Sequence, residues 1–162
     1  MTDTGTVALT PRFAEGDRMR VIGLGARYDA ATWERIPGQW ARLQQRLGEV
    51  RGRADAARFG LFYQLSESPL EFEYLCGVIV DEDAPLPLGF VERRLAARRH
   101  AVFTHRGDLA GLRPLVHAIF GDWLPRSGHA AAGNPDFVEV YGEDFDPVRL
   151  QGLIEVWVPL ED

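Results

Sequence analysis

A glutamate in the middle of a short apolar strand is the residue of this chain whose setting most demands chemistry. In Phe137–Tyr141, written FVEVY, strand alternation places Phe137, Glu139 and Tyr141 on one face and Val138 and Val140 on the other. The valines suit packing against a helix, which leaves Glu139 between two aromatic rings. A carboxylate there is costly unless it is hydrogen-bonded, protonated or met by a cation. Two readings stay open on the strand pattern. In one, Glu139 is the negative pole of an aromatic-lined pocket and attracts a cationic or hydrogen-bonding ligand. In the other it faces solvent at a sheet surface or pairs with a basic side chain. The corresponding strand of the first half, residues 58–65, carries Phe59, Leu61 and Tyr63 in the same alternation, so Leu61 stands where the later strand has Glu139. Glu155, in LIEVWV, shares a face with Trp157 and reads as a solvated residue.

The other reactive residue types are less suggestive. Cys76 lies in an apolar strand, the setting of a buried, inert thiol. The histidines, His100, His105, His117 and His129, form no HExxH pattern, and His100 and His105 fall on opposite faces of their strand, so no metal site is expected. VIGLGA supplies G-x-G without the third glycine of a dinucleotide fingerprint, and no cofactor is expected. The RRLAARR run at 93–99 holds four arginines and reads as a solvated edge.

The elements that must position Glu139 come in a repeated order. Residues 20–28 read as a strand, and Trp33, Ile36, Trp40, Leu43, Leu47 and Val50 form an amphipathic helical stripe with Pro37 near its start. Strands follow at 58–65 and 71–80, separated by SESP. After the loop DEDAPLPLG at 81–89, strands at 90–95 and 100–106 lead through Gly107 and Asp108, a turn and helix N-cap candidate. A second stripe holds Leu112, Leu115, Val116, Ile119, Phe120 and Trp123 with Pro114 near its start, and strands at 137–141 and 153–160 close the chain. The spacing of Pro37 to Pro114 is 77 residues and that of Tyr63 to Tyr141 is 78. This predicts a single α+β domain of two pseudo-symmetric strand-helix-strand-strand repeats, about 18–80 and 90–160, forming an antiparallel sheet with both main helices on one face and a ligand cleft between the halves.

The 162 residues carry 24 acids against 18 basic side chains, a formal charge of −6. That balance excludes generic attraction to nucleic acid or an anionic membrane surface. No apolar run approaches the roughly 20 residues of a membrane span. No export signal is visible at the start, and the single cysteine cannot form an internal disulfide, which together predict a cytoplasmic protein.

Four ordered stretches, HAVFTHRGDLAGL, IFGDWLPRSG, PDFVEVYGEDFDP and LIEVWVPL, resemble the GyrI-like family, the effector-binding domain of AraC- and MerR-type transcription regulators. VIGLGARY, the Trp33–Leu47 stripe and the FGLFY and YLCGVIV strands match more loosely. The resemblance implies a small-molecule (effector or drug) binding protein whose ligand, cationic or amphipathic and aromatic, lies in a cleft with a central glutamate. Its carry-over falls on Glu139 and Tyr141, beside Phe137. Tyr63, Tyr74, Trp40, Phe90, Phe103 and Trp157 are further aromatic candidates, each of a type more often packed in a core than set against a ligand. Stand-alone members of the family imply a second reading, hydrolysis of cyclopropane-containing electrophiles with Glu139 and Tyr141 as catalytic groups. A third is a protein partner, as for a gyrase inhibitor, and a homodimer is a further partner expectation. No helix-turn-helix pattern precedes residue 20, so a stand-alone effector domain without direct nucleic-acid binding is expected.

Overall fold

The computed structural model describes residues 9–146, 149 and 151–161. In chain order its main elements are β1 (Arg12–Gly16), β2 (Met19–Asp29), α1 (Ile36–Arg46), β3 (Arg58–Glu67), β4 (Leu70–Val80), β5 (Val91–Leu95), β6 (Arg98–Asp108), α2 (Leu112–Ala118), β7 (Phe137–Tyr141) and β8 (Gln151–Pro159). A 3-10 turn, Trp33–Arg35, leads into α1, and α2 continues through a π turn, Ile119–Trp123, into the short α3, Leu124–Ser127. The strands form one antiparallel sheet in the order β1-β6-β8-β7-β3-β4-β2-β5. That order is unchanged when β7 is exchanged with β3, β8 with β4, β6 with β2 and β1 with β5. The chain is therefore an α+β fold of two matching halves, joined where β7 pairs with β3.

Both helices cover the same face of the sheet. Under α1 lie Ile22, Cys76 and Val78, met by Ile36, Leu43 and Leu47; under α2 lie Phe103, Ile154 and Val156, met by Leu115, Val116 and Phe120. Trp40 and Phe62 touch both clusters and bridge the seam. Each helix is too short to persist alone in water, so burial of these stripes is what holds it. Gln39 adds polar anchors: its Nε2 donates to the Leu24 carbonyl (2.7 Å) and the Tyr74 carbonyl (2.9 Å), and its Oε1 accepts from the Tyr28 hydroxyl (2.5 Å).

Several expectations change. Val138 does not meet a helix; it packs with Val21, Phe59, Leu61 and Leu75 on the helix-free face, and Val140 borders that cluster. The helices cover the Phe137, Glu139 and Tyr141 face instead. Leu61 is cross-strand partner to Val138, and the residue opposite Glu139 is Gly60. Tyr63 and Tyr141 lie on opposite faces, so their 78-residue spacing is not a structural equivalence. β1 is an additional strand, paired with β6 ahead of the first one expected. β6 runs straight through Gly107 and Asp108, Gly107 taking a φ of 139°, and the N-cap of α2 is Gly111. Asp108 still serves the turn, because its Oδ1 accepts from the Gly111 amide at 3.2 Å.

Candidate functional site

Glu139 occupies the seam. It lies on β7 between Gly60 of β3 and Val156 of β8, beneath the helical layer, and only 9% of it is exposed. Tyr74 reaches it from β4, one strand beyond β3, and its hydroxyl donates to Glu139 Oε1 at 2.5 Å. Tyr141, two residues further along β7, donates to the same oxygen at 2.9 Å. Gly60 makes the first of these contacts sterically allowed. A Cβ at Gly60 would stand 2.6 Å from Glu139 Oε1 and closer still to the Tyr74 hydroxyl. The missing side chain is the gap through which a β4 phenol touches a β7 carboxylate.

Aromatic rings complete the surroundings. Trp40, from α1, donates its indole N–H to the Tyr74 hydroxyl at 3.1 Å and sets its ring edge-on to Tyr141 at 5.1 Å between centroids. Phe145 meets the Tyr141 ring at 5.0 Å. Phe62 stacks between Phe72 (4.5 Å) and Phe137 (4.7 Å), and Phe120 packs on Phe137 at 5.8 Å.

The electrostatics follow from burial. Loss of water pushes the Glu139 carboxyl pKa above its ordinary value, and the two phenol hydrogen bonds pull it partly back. The Tyr74 and Tyr141 phenols are held well above theirs, first by burial and then by the neighbouring carboxylate. Among the described residues no ion pair includes Glu139. Both hydroxyls converge on Oε1, so Oε2 accepts no side-chain donor among the described residues. A buried carboxylate with two neutral donors and no counterion favours either a proton or an incoming cation. The same environment suits proton transfer.

The other sequence candidates separate cleanly by face. Glu139, Tyr141, Tyr74 and Trp40 come together, with Phe137 adjoining through Phe62. Tyr63 and Trp157 lie on the helix-free face. Trp157 meets His100 edge-on at 5.3 Å and donates to Glu155, which also pairs with Arg12 at 2.8 Å. Tyr63 instead borders an open recess of about 360 Å³ with Glu73, Arg93, Arg94 and Asn134, away from Glu139. Phe90 is buried beneath the Arg46 guanidinium (4.8 Å) in the first-half core, and Phe103 packs edge-on to Trp123 (5.0 Å) in the second. Cys76 is fully buried, and burial pushes its thiol pKa up to about 12. The arginines of the 93–99 run are engaged: Arg93 pairs with Glu73, Arg94 with Glu82 and Glu92, Arg98 with the Leu160 carbonyl, and Arg99 lies over Phe13. Sequence reasoning missed Gly60, Phe62 and Gln39. The available signal for Gly60 was a glycine interrupting the strand RFGLFY, which marks a close approach of other groups.

Residues 9–161 match the GyrI-like small molecule binding domain. The transcriptional regulator BrlR of Pseudomonas aeruginosa is 28% identical over 151 residues, covering 92% of this chain and 54% of BrlR, so the chain spans about half the length of that relative. Among solved structures, SAV2435 bound to tetraphenylphosphonium superposes with a TM-score of 0.69 at 14% identity, covering 94% of each chain. A transcription regulation protein from Staphylococcus aureus MU50 also gives 0.69, at 15% identity over 96% of this chain and 100% of its own. At these identities the solved structures establish the fold alone. No helix among the described residues is long and apolar enough to cross a membrane.

Proposed function

The chain belongs to the GyrI-like small-molecule-binding family, and from that premise we propose that it binds an organic cation against the Glu139 carboxylate. One observation carries the reading: Glu139 is buried among aromatic rings, held by two phenols on one oxygen, and has no cationic partner among the described residues. An aromatic or lipophilic cation supplies the missing charge and keeps the site dry, while Trp40, Tyr74 and Tyr141 offer ring faces and apolar area. A strongly hydrated inorganic cation would lose its water without gaining comparable ligands. The tetraphenylphosphonium held by the structurally similar SAV2435 belongs to the same chemical class and supports the reading. Since BrlR and other regulators share the fold, the role that suits this domain is effector recognition.

Trp40 of α1 bridges the seam and donates to the Tyr74 hydroxyl that holds the carboxylate, so a ligand reaching Glu139 is expected to displace that indole and open the α1 side of the seam. Calorimetric titration with tetraphenylphosphonium at pH 7.5 tests the proposal. The expected result is saturable binding by the parent and a loss of about tenfold or more in affinity for Glu139→Gln, with unchanged circular dichroism. Equal affinity of parent and variant would overturn it.

A further inference from the structure

We infer that the face of Trp33 is a second, outer cation subsite at the rim of the seam, occupied in this structure by the chain's own Arg113. This inference rests on the organic-cation reading of Glu139. Trp33 opens the 3-10 turn that leads into α1 and packs on the first-half core. It stands seven residues before Trp40, two helical turns along the same apolar stripe. Arg113 projects from the first turn of α2, in the other half, and its guanidinium lies 4.2 Å from the centre of the Trp33 ring. Arg113 is exposed, yet among the described residues it makes no ion pair. Its partner is therefore the indole face, and the contact joins the 3-10 turn that leads into α1 to the first turn of α2.

Two consequences follow from that placement. First, the indole face already accepts a delocalised, weakly hydrated cation, the same class of group that Glu139 is proposed to receive. An organic cation approaching the seam competes with Arg113 for it. Second, the contact ties α1 to the second half, as the Trp40–Tyr141 contact does nearer the carboxylate. Displacing Arg113 removes one of these ties and frees the α1 cover. Arg113 thus acts against the ligand by mimicking it: it fills the outer platform and holds the cover shut.

This assigns Arg113 an effect opposite in sign to that of ordinary damage. Removing its charge should strengthen binding of an external cation. The test is calorimetry with tetraphenylphosphonium on the parent, Arg113→Gln, Arg113→Lys and Trp33→Leu proteins. Arg113→Gln should bind roughly 2- to 30-fold more tightly, the range of a cation-π contact no longer in competition. Arg113→Lys, which restores a cation over the ring, should return toward the parent value, and Trp33→Leu, which removes the outer platform together with the tie, should bind more weakly than Arg113→Gln, which removes the tie alone. Unchanged or weaker binding by Arg113→Gln overturns the inference. Hydrogen exchange of the ligand-free proteins provides a readout independent of the ligand. Amides of residues 33–46 should exchange faster in Arg113→Gln than in the parent or in Arg113→Lys, and equal rates in all three would equally overturn it. If the parent binds no tetraphenylphosphonium, the reading of Glu139 fails while the exchange experiment still decides whether Arg113 holds the cover.

Discussion

Glu139 places opposite demands on folding and on binding. Its carboxyl pKa is raised in the folded protein, mainly by burial, so the folded state holds that proton more tightly than the unfolded chain does. The group's contribution to stability is accordingly intact below the ordinary carboxylate pKa. It is lost as pH rises from there through the folded value, and stays lost above it. The groups facing it are the Tyr74 and Tyr141 hydroxyls, both neutral donors with pKa values well above 10.0, so no neighbouring charge cancels the loss. Glu139→Gln keeps an oxygen for both hydroxyls and removes the ionisation. Its Tm should exceed that of the parent at pH 8, by about 2–4 °C for each kcal/mol recovered, and the gap should close at pH 4; thermal melts at the two pH values measure this. Binding has the opposite slope, since a cation favours the ionised form. Affinity for tetraphenylphosphonium should rise with pH until Glu139 is fully ionised and then level off. Gly60 sets a steric limit on the same contact. Gly60→Ala forces a Cβ into the space shared by the Tyr74 hydroxyl and Glu139 Oε1, so the β4 phenol must withdraw. The variant should lose about 1–3 kcal/mol of stability in denaturant titrations, in the range for overpacking, together with most cation binding.

At the scale of elements, α1 is held to the sheet by a stripe of apolar side chains and by one buried glutamine. Gln39→Ala takes this partner from the Tyr74 carbonyl and the Tyr28 hydroxyl and leaves the Leu24 carbonyl with the weak Cys76 thiol donor, and each unsatisfied buried group costs about 1–3 kcal/mol. Urea unfolding should show a loss of at least about 2 kcal/mol. Gln39→Glu should do no better, because a carboxylate cannot donate to two carbonyls. The element order was readable because period-3.6 and period-2 apolar patterns alternate along the chain, and Pro37 and Pro114 mark corresponding helix starts. The face assignment was not readable. In FVEVY both alternating sets are apolar enough to be buried, and alternation separates two faces without saying which one a helix will cover. The short strand RFAEG was not readable for a related reason: its partner, β6, is about 90 residues away, and a five-residue edge strand carrying Arg12 and Glu15 has little pattern of its own. Tyr74 was one aromatic among many in the sequence. What singles it out is the reach across Gly60, a property of the β7-β3-β4 order that local patterns do not encode.

At the scale of the molecule, the two halves are tied together more closely than tandem repeats need be. β1 precedes β2 in sequence but pairs with β6 of the other half, and β5 precedes β6 but pairs with β2. Each edge strand is thus supplied across the divide. The central β7–β3 pairing completes the continuous sheet, and Trp40 and Phe62 contribute to both helical clusters. Neither half has its full complement of strands without the other, and separating them would expose the β3 and β7 edges along with Glu139. Unfolding should therefore be a single cooperative transition. Far-ultraviolet circular dichroism reports the sheet as a whole, while tryptophan fluorescence reports Trp33 and Trp40 of the first half and Trp123 and Trp157 of the second. The two signals should give coincident urea curves with one midpoint. Saturating tetraphenylphosphonium should move both curves together to higher denaturant, because a ligand bound at the seam stabilises only the state in which the halves are joined. Two resolved midpoints, or a shift confined to the fluorescence, would show that the halves unfold separately and that the seam is not the cooperative centre of the fold.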